Sequence, residues 1–570
     1  MRTQTNHASR WTIPVFVTAW LSCAPLRAQY AGGTGDPNDP YQIETPGQMN
    51  AIGSHPEDWD KHFALVQDVN LAEYAGTRFR IIGKFGARGG DDNRPFTGTF
   101  DGRGRKIKSF RWTSTRGDHI GLFAYVGLEG RISNLRLENV DVNAPEGFSI
   151  GALVGQNEGW VTNCRVSGVV SGGYDVGGLV GWNQGTMAKC HSTASVSGSG
   201  LSVGGLAGRS FGTISDCNST ATVWGSEYAA VLVGESFGVI ANCRCGGTIS
   251  GRGRIGGLAG DNHGTIADSN SISTVSGEEF VGGLVAENFT AVSNCRSSGS
   301  VAGGSHVGGV AGVNWGQIAD SNSTAVVHGG PVNVGGFVGW NSGQIADCRS
   351  SAPVFGVDKV GGLVGSNDSP GSVTGSHSTS DVTGHMGCGG LFGENYGTAT
   401  ACYSTGNTVG YASLGGLAGR NGGSLTACCA TGAVTARGED IGGLVGANQG
   451  TVSNCYATGW VWGGRRIGGL VGFNDSIGTI EYSYAGGGAV GAYAGGLVGV
   501  GTGTVTSSFW DSDVWGLDSS AGGEGKRTAQ MKARSTFIEA GWDFVGETAN
   551  GTEDFWWIDD GKDYPRLFWE

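Results

Sequence analysis

The sequence predicts an all-β chain wound into a parallel β-solenoid of about 14–16 coils, with 26–27 residues in each coil. Three observations lead to this fold class. Glycine accounts for 110 of the 570 residues, whereas proline accounts for only 12. A GGLVG-like string returns at nearly constant spacing. A column of asparagines and a column of cysteines return with the same period.

The GGLVG-like string occurs 14 times, and successive copies lie 26 to 28 residues apart. No copy is followed by a helical pattern, so the string is not the phosphate-binding loop that joins a strand to a helix. A period near 26 without helix-forming residues indicates one solenoid coil per repeat. The copies begin at Gly151, Gly177, Gly204, Ala230, Gly256, Gly282, Gly308, Gly335, Gly361, Gly389, Gly415, Gly442, Gly468 and Gly495.

Alternation within a coil predicts short strands. Cys217, Ser219, Ala221 and Val223 are separated by single polar residues, which indicates a strand with small side chains facing inward. The spacing of three between Ile214 and Cys217 breaks this alternation and predicts a bend. One coil cannot bury its own apolar face, so we expect stacked coils to bury a continuous narrow core.

Asparagine falls two residues after the string in 11 of the 14 copies. We expect these side chains to form a structural amide ladder, because stacked asparagines pair and because asparagine tolerates left-handed turns. The column consists of Asn157, Asn183, Asn262, Asn288, Asn314, Asn341, Asn367, Asn395, Asn421, Asn448 and Asn474.

Nine cysteines form the second column, and Ser269, Ser321, Ser376 and Ser483 fill its gaps. No CxxC pair favours a metal site. Parallel side chains on one face are poorly placed for disulfides, so we expect mostly free, buried thiols. The column consists of Cys164, Cys190, Cys217, Cys243, Cys295, Cys348, Cys402, Cys428 and Cys455.

The first 28 residues have the pattern of a secretory signal peptide. Arg2 and Arg10 precede a short apolar stretch, and Leu26-Arg27-Ala28 is an acceptable cleavage site. The string Trp20-Leu21-Ser22-Cys23 leaves a lipoprotein anchor as an alternative. No later segment is long and apolar enough to span a membrane. We therefore expect a secreted or cell-surface protein.

The solenoid is expected to lie between two caps. The first cap should contain a short helix near Pro46–Ile52 and a strand at Phe63–Val69. Its counterpart should contain a helix-like stretch at Ala529–Ala540 and close the open end. The predicted boundaries are 1–28 for the signal peptide, 29–78 for the N-terminal cap, 79–150 for irregular first coils, 151–505 for the repeats and 506–570 for the aromatic-rich C-terminal cap.

The charge balance argues against nucleic acid as a partner. The chain has 36 basic and 49 acidic residues and a net charge of −13. Residues 1–28 contain three arginines and no acidic residue, so their removal would leave a net charge of −16. A surface this acidic repels nucleic acid and anionic membranes.

The repeat unit reads approximately VGGLVGxNxGTIxNCxSTGxVxG and resembles the GLUG repeat family of bacterial surface and secreted proteins. The resemblance covers about residues 150–510. It implies a right-handed parallel β-helix and an adhesin-like setting outside the cell. Some GLUG proteins are immunoglobulin-cleaving metalloproteases, but the HPEDWDKH string around His55 and His62 does not fit their zinc motif. That activity is therefore not expected here.

The position after the asparagine column carries five aromatic rings in successive coils, and these rings are the candidate ligand-binding residues. One interpretation is a ladder that stabilises the turns. The other is a platform for a sugar chain or another apolar ligand. The rings belong to Phe211, Phe237, His263, Phe289 and Trp315.

The position before the cysteine column alternates between Asp and Asn, which avoids stacking like charges. The exception is Asp320 and Asp347 on neighbouring coils. This pair is either solvated or a weak candidate for Ca²⁺ binding or acid–base chemistry. The string Asp559-Asp560-Gly561-Lys562-Asp563 is a second weak cation candidate. No cofactor is expected otherwise.

We expect an exported, non-enzymatic repeat protein with an adhesive, surface-structural or glycan-binding role. Its partner would be an extracellular polysaccharide or a surface protein. The alternative is a carbohydrate-active β-helix enzyme, either a lyase or a hydrolase. The evenly spaced repeats contain no long insertion that would build a catalytic cleft.

Overall fold

The computed structural model describes residue 1 and residues 29–86, 92–514 and 518–570. The chain is all-β, and its strands pair in parallel between successive coils. The prediction of a β-solenoid is confirmed. The predicted signal peptide lies almost entirely in residues 2–28, outside the described residues.

Three parallel sheets run along the solenoid, and we call them faces A, B and C. Face A contains 18 strands, so the solenoid has about 18 turns rather than 14–16. The additional turns come from residues that the sequence predicted to form the N-terminal cap, because Tyr41–Ile43 already pairs with His62–Leu65. The strands of face A are Tyr41–Ile43, His62–Leu65, Thr99–Asp101, Arg131–Ser133, Trp160–Thr162, Thr186–Ala188, Thr213–Ser215, Val239–Ala241, Thr265–Ala267, Ala291–Ser293, Gln317–Ala319, Gln344–Ala346, Ser372–Thr374, Thr398–Thr400, Ser424–Thr426, Thr451–Ser453, Thr479–Glu481 and Thr504–Thr506.

Face B has 15 strands, and most of them end on the asparagine column. They are Phe123–Val126, Val154–Asn157, Val180–Asn183, Ala207–Ser210, Val233–Ser236, Ala259–Asn262, Val285–Asn288, Ala311–Asn314, Val338–Asn341, Val364–Asn367, Phe392–Asn395, Ala418–Asn421, Val445–Asn448, Val471–Asn474 and Val498–Gly501.

Face C holds the longest strands, several of which bend without losing their pairing. Its strands are Val69–Asn70, Lys106–Lys108, Arg111–Thr113, Arg136–Gly151, Arg165–Gly177, His191–Ser192, Ser195–Gly204, Asn218–Ser219, Thr222–Ala230, Arg244–Cys245, Thr248–Gly256, Asn270–Ser271, Thr274–Ser276, Glu279–Gly282, Arg296–Ser297, Ser300–Gly308, Asn322–Ser323, Val326–Gly335, Arg349–Ser350, Val354–Phe355, Asp358–Gly361, His377–Ser378, Val382–Thr383, Met386–Gly389, Tyr403–Ser404, Thr408–Val409, Ala412–Gly415, Cys429–Ala430, Val434–Thr435, Glu439–Gly442, Tyr456–Ala457, Val461–Gly468, Tyr484–Ala485, Ala489–Gly495, Phe509–Asp511 and Glu524–Lys526.

Two corners of each regular coil use residues in the left-handed region. In one coil, Asn294 (φ 48°) precedes the inward Cys295, and His306 (φ 52°) precedes the turn onto face B. Asp216 (φ 52°) forms the bend that the spacing between Ile214 and Cys217 predicts. Asn and Asp are common at the first corner because they tolerate this conformation better than other non-glycine residues.

Glycine is required where neighbouring coils approach most closely. A Cβ atom on Gly283 would lie 2.2 Å from the carbonyl oxygen of Gly309 in the next coil. This contact explains why the second glycine of the string recurs along the solenoid.

The core contains two polar columns. The eleven asparagines are 0–1% exposed, and Asn288, for example, donates through Nδ2 to Asn314 Oδ1 at 2.8 Å. Ser210 and Ser236 interrupt this ladder. In the other column, the amide of Cys295 donates to Ser321 Oγ at 3.0 Å, so serine can replace cysteine. All twelve cysteines in the described residues are free and buried.

Helices lie only near the ends of the described chain. Helix α1 (Pro46–Ile52) has a Thr45 capping box and lies where the sequence predicts it. The short 3₁₀ helix Pro56–Asp58 follows. Near the other end lie α2 (Thr528–Met531) and α3 (Arg534–Ile538).

The aromatic tail does more than close the end of the solenoid. An antiparallel pair, Trp556–Trp557 with Arg566–Leu567, and the two short helices pack along the flank of face C. Their buried cluster includes Trp542 and Trp556 from the tail and Tyr456 and Tyr484 from the coils. The tail therefore covers the side of several coils as well as the terminal one.

Candidate functional site

The five predicted rings form one continuous stack, which we call the ring stripe. Each ring follows a face B strand, and its backbone is tied to the preceding coil, as in the Phe237 amide that donates to Ser210 O at 2.7 Å. Centroid separations are 4.5 Å for Phe211–Phe237, 4.8 Å for Phe237–His263 and 4.4 Å for His263–Phe289. Interplanar angles of 6–8° show that these rings largely cover one another's faces.

The stripe opens at one step. Phe289 and Trp315 remain nearly parallel at 11°, but their centroids are 6.5 Å apart. Trp315 is 46% exposed and Phe289 is 37% exposed. Because this step is wider than the others, part of an aromatic face is left uncovered here.

Two tryptophans that the sequence analysis missed border the stripe. Trp340 meets Trp315 edge-on at 4.5 Å and 82°, and Trp182 lies 6.1 Å from Phe211 at 53°. Both occupy the outward position just before an asparagine of the ladder, in the string VGWN. A large aromatic residue at an outward strand position was the signal that could have revealed them.

A shallow cleft of about 470 Å³ lies where the stripe opens. Phe289 and Trp315 form its apolar side, and Gln317, Gln344 and Ser342 contribute polar groups. Gln317 Nε2 donates to Gln344 Oε1 at 3.2 Å, which aligns the two amides on neighbouring coils. Exposed aromatic surface beside fixed amides suits a ligand with both C–H and hydroxyl groups.

Three carboxylates run beside the stripe and form what we call the acidic row. Glu235, Asp261 and Glu287 are in direct register on successive face B strands. Each lies two residues before a ring of the stripe, and they are only 4–7% exposed. The sequence analysis did not identify them, although three successive acids at an outward strand position were visible.

Two arginines partly neutralise the acidic row. Arg209 lies 2.5 Å from Glu235 Oε2 and 3.4 Å from Asp175 Oδ1. Arg254 lies 2.6 Å from Glu287 Oε2 and is held over the rings of Tyr228 and Phe280, at 5.1 and 5.3 Å.

Asp261 is the least compensated member of the row. Its Oδ1 atom is buried without a hydrogen-bond partner, and its Oδ2 atom lies 3.9 Å from His263 Nε2. Burial, reinforced by the charge of Glu287 and opposed by Arg254, raises the pKa of Asp261 to about 8. This carboxyl therefore holds a proton at neutral pH.

The weaker sequence candidates are separate from this site. Asp320 and Asp347 are exposed corner residues with φ of 50° and 53°. The left-handed corner explains the Asp and Asn residues at this position more directly than the avoidance of like charges does. Within the described residues, no group of three or more His, Cys, Asp and Glu side chains is arranged to hold a metal ion.

The carboxylates of the tail are engaged by neighbouring groups. Asp559 pairs with Lys562 at 3.1 Å, and Asp563 pairs with Arg566. Asp560 Oδ1 accepts from the Arg534 amide at 2.7 Å. The carboxylates of this candidate cation site are thus already paired with Lys562, Arg566 and a backbone amide.

Comparison with known proteins supports the repeat assignment. The model of the GLUG motif matches residues 172–197, 199–223 and 438–461. The predicted resemblance to GLUG repeats is thus confirmed at these three segments. None of the described helices is long and apolar enough to cross a membrane.

Two curated relatives share part of the chain. A protein named "Putative Gly-rich membrane protein" from Evansella cellulosilytica is 34% identical over 142 residues, which is 24% of this chain. Halomucin from Haloquadratum walsbyi is 30% identical over 145 residues, which is 25% of this chain. The matches span only 15% and 2% of the lengths of these relatives.

One similar solved structure is described as that of "a putative immunoglobulin A1 protease" from Bacteroides ovatus. It is 19% identical, with a TM-score of 0.22, and the match covers 62% of this chain and 80% of that one. The fold assignment rests on the paired coils themselves and not on this similarity.

Proposed function

We propose that this GLUG-repeat protein is an exported, non-enzymatic protein that binds a polysaccharide chain at the open end of the ring stripe. The observation that carries the proposal is the cleft at Trp315, where an aromatic face is uncovered beside Gln317 and Gln344. Sugar rings present C–H groups on their faces and hydroxyl groups on their edges, and this cleft offers partners for both.

The rigidity of the site supports binding. Each ring follows a strand whose backbone is hydrogen-bonded to the neighbouring coil, so little ordering is needed when a ligand arrives. The rest of the stripe has a different role. Because Phe211, Phe237, His263 and Phe289 cover one another, they fix the turns and present ring edges to solvent.

Because the cleft is formed at Trp315, this ring should contribute more to ligand binding than the other rings of the stripe. Trp315→Ala should weaken retention on a neutral β-linked glucan by about two- to tenfold, since one well-placed aromatic contact contributes about 0.5–1.5 kcal/mol. Affinity electrophoresis of the full chain measures this retention. Trp462→Ala is the matched control, because Trp462 is 45% exposed on another face. Equal retention of the two variants would reject the cleft.

A second candidate is a carbohydrate-active enzyme, and the protonated carboxyl of Asp261 is the observation that favours it. In such an enzyme Asp261 would donate a proton while a neighbouring carboxylate acts as base or nucleophile. The burial of the acidic row beneath Arg254 speaks against it. Polymer chain length, followed during the retention assay, distinguishes the two. Shortening that Asp261→Asn abolishes would establish the enzyme.

A further inference from the structure

Face C carries an arginine row that the ring stripe does not explain. Arg244, Arg296 and Arg349 occupy the first outward position of their strands, directly after the inward cysteine column. The intervening coils place Asn270 and Asn322 at the same position, and all five residues are in direct register. Since neighbouring strands lie about 4.8 Å apart, the guanidinium groups recur every 10 Å or so.

The face C segments that contain the arginine row, and those of the neighbouring coils, have no acidic residues. The face C stretches 165–171, 191–197, 218–224, 244–250, 270–276, 296–302, 322–328 and 349–355 contain no Asp or Glu, although the chain has 49 acidic residues. They contain four arginines and two histidines. The net-acidic protein thus keeps one cationic surface eight coils long.

The nearest carboxylates lie at the corner two residues before the row. Where the row has Arg244 or Arg296, the corner residue is Asn242 or Asn294, and only Arg349 has an acid, Asp347, at the corner of its own coil. Asp268 and Asp320 occupy this corner in the intervening coils. Among the described residues, no acidic side chain lies within 4.0 Å of the charged atoms of these three arginines. The guanidinium groups are exposed and available to a ligand.

Hydroxyl groups run alongside the arginine row. Thr324, Ser351 and Thr379 are exposed and directly follow the strands that begin at Asn322, Arg349 and His377. Together with Asn322, Arg349 and His377 they line a cleft of about 260 Å³. This combination offers a charged fork for an anionic group and hydrogen-bonding partners for neighbouring hydroxyls.

We propose that face C binds an anionic polysaccharide whose charged groups recur on every second sugar, with Arg244, Arg296 and Arg349 each meeting one of them. A sugar in an extended β-linked chain advances by nearly the height of one coil, so the spacing of the arginines matches a disaccharide repeat. Carboxylate and sulfate groups share the required chemistry, since both accept two parallel hydrogen bonds from a guanidinium.

The spacing disfavours nucleic acid. Duplex DNA carries a charge about every 1.7 Å of its axis, far denser than one arginine in about 10 Å. The net negative charge of the protein would also repel such a dense polyanion.

The experiment compares the full chain with two triple variants of equal net charge. One is Arg244→Gln/Arg296→Gln/Arg349→Gln. The other, the control, is Arg78→Gln/Arg80→Gln/Arg103→Gln, which changes exposed arginines outside the face C strands. Both should fold, which circular dichroism checks.

The probes are hyaluronan, with a carboxylate on every second sugar; chondroitin sulfate, which adds sulfate; polygalacturonate, charged on every sugar; neutral dextran; and duplex DNA. We expect hyaluronan or chondroitin sulfate to bind best, with affinity falling as salt rises. The row variant should lose at least about tenfold in affinity and the control less than about twofold. A stronger effect with chondroitin sulfate would identify sulfate as the preferred group.

Three outcomes would overturn the proposal: equal binding by both triple variants, preferential binding of DNA, or no binding of any anionic polymer. The ring-stripe proposal is tested separately. Trp315→Ala should leave hyaluronan binding unchanged, and the arginine variant should leave neutral glucan retention unchanged.

Discussion

The Nε atom of Arg254 lies 2.6 Å from Glu287 Oε2 and 4.0 Å from Asp261 Oδ2. One guanidinium therefore faces two carboxyls on neighbouring coils. Arg254 itself sits at a left-handed corner, with φ of 54°, which directs it over the acidic row. The acidic row is therefore buried directly beside the exposed rings of the stripe.

Removing this cation should destabilise the protein. We expect Arg254→Met to lower the free energy of unfolding by about 1–3 kcal/mol, because Glu287 would remain buried and unpaired. This loss is smaller than that for a fully buried ion pair, because the Arg254 side chain is 30% exposed. Urea unfolding measures the change. Arg296→Met, an exposed change, is the control, and the Arg254→Met loss should shrink in a Glu287→Gln background.

Asp261 predicts a pH-dependent stability. Its pKa is raised to about 8 by burial and by Glu287, so the folded protein holds the proton more tightly than the unfolded chain. This contribution is complete below the unfolded pKa, near 4, and is lost as pH rises through about 8.

Asp261→Asn removes this titration. The stability of the variant relative to wild type should therefore increase by up to about 5 kcal/mol between pH 4 and pH 9, because the pKa differs by about four units between the folded and unfolded states. Thermal unfolding at the two pH values measures it. Ala447→Ser, at the same outward position of a face B strand, changes no titratable group and should show nearly the same difference at both pH values. A pH-independent effect of Asp261→Asn would contradict the assignment.

The asparagine ladder should be sensitive to truncation at its centre. Asn314 donates to Asn341 Oδ1 at 2.8 Å and accepts from Asn288, and all three side chains are buried. Asn314→Ala would leave these partners unsatisfied and should cost about 2–4 kcal/mol in chemical unfolding. Asn314→Ser should cost less, because Ser210 and Ser236 already occupy the column elsewhere. Equal losses would show that ladder hydrogen bonds contribute little.

The cysteine column predicts a sharp contrast in thiol reactivity. The thiols are buried, and burial raises the pKa of Cys295 and Cys245 to about 11. The native protein should therefore react negligibly with a thiol reagent within minutes. After denaturation without reductant, the twelve cysteines of the described residues should titrate as free thiols. A count near zero would instead mean that disulfides form.

The regular part of the fold was predictable because each coil repeats the same constraints. Asn288 and Cys295 appear in the printed sequence as members of columns, and the structure places both inside. The irregular coils at 79–150 were predicted, but those at 41–65 were assigned to the cap, because these residues pair like the repeats without sharing their sequence. Tyr41–Ile43 matches Phe63–Leu65 through backbone hydrogen bonds, which have no sequence signature.

The candidate site was predictable only in part. The ring stripe follows from one column, and Arg209 precedes the acidic row within the row's own column. Arg254, by contrast, reaches the row from the left-handed corner of the coil. Which side chains meet across a corner depends on the left-handed residues there, and two columns read separately do not reveal it. The wide step between Phe289 and Trp315 depends on local side-chain packing and likewise could not be read from spacing.

The tail that packs along the flank of face C suggests that the molecule folds in two stages. Each coil pairs with the one before it, so winding can follow the direction of synthesis, one turn at a time. The Trp569 indole instead donates to Ala427 O and the Tyr456 hydroxyl donates to Glu570 Oε1, which joins positions 142 and 114 residues apart. Such distant closure is slow compared with neighbour-to-neighbour winding. We therefore expect the coils to form in chain order and the tail to pack on face C after them.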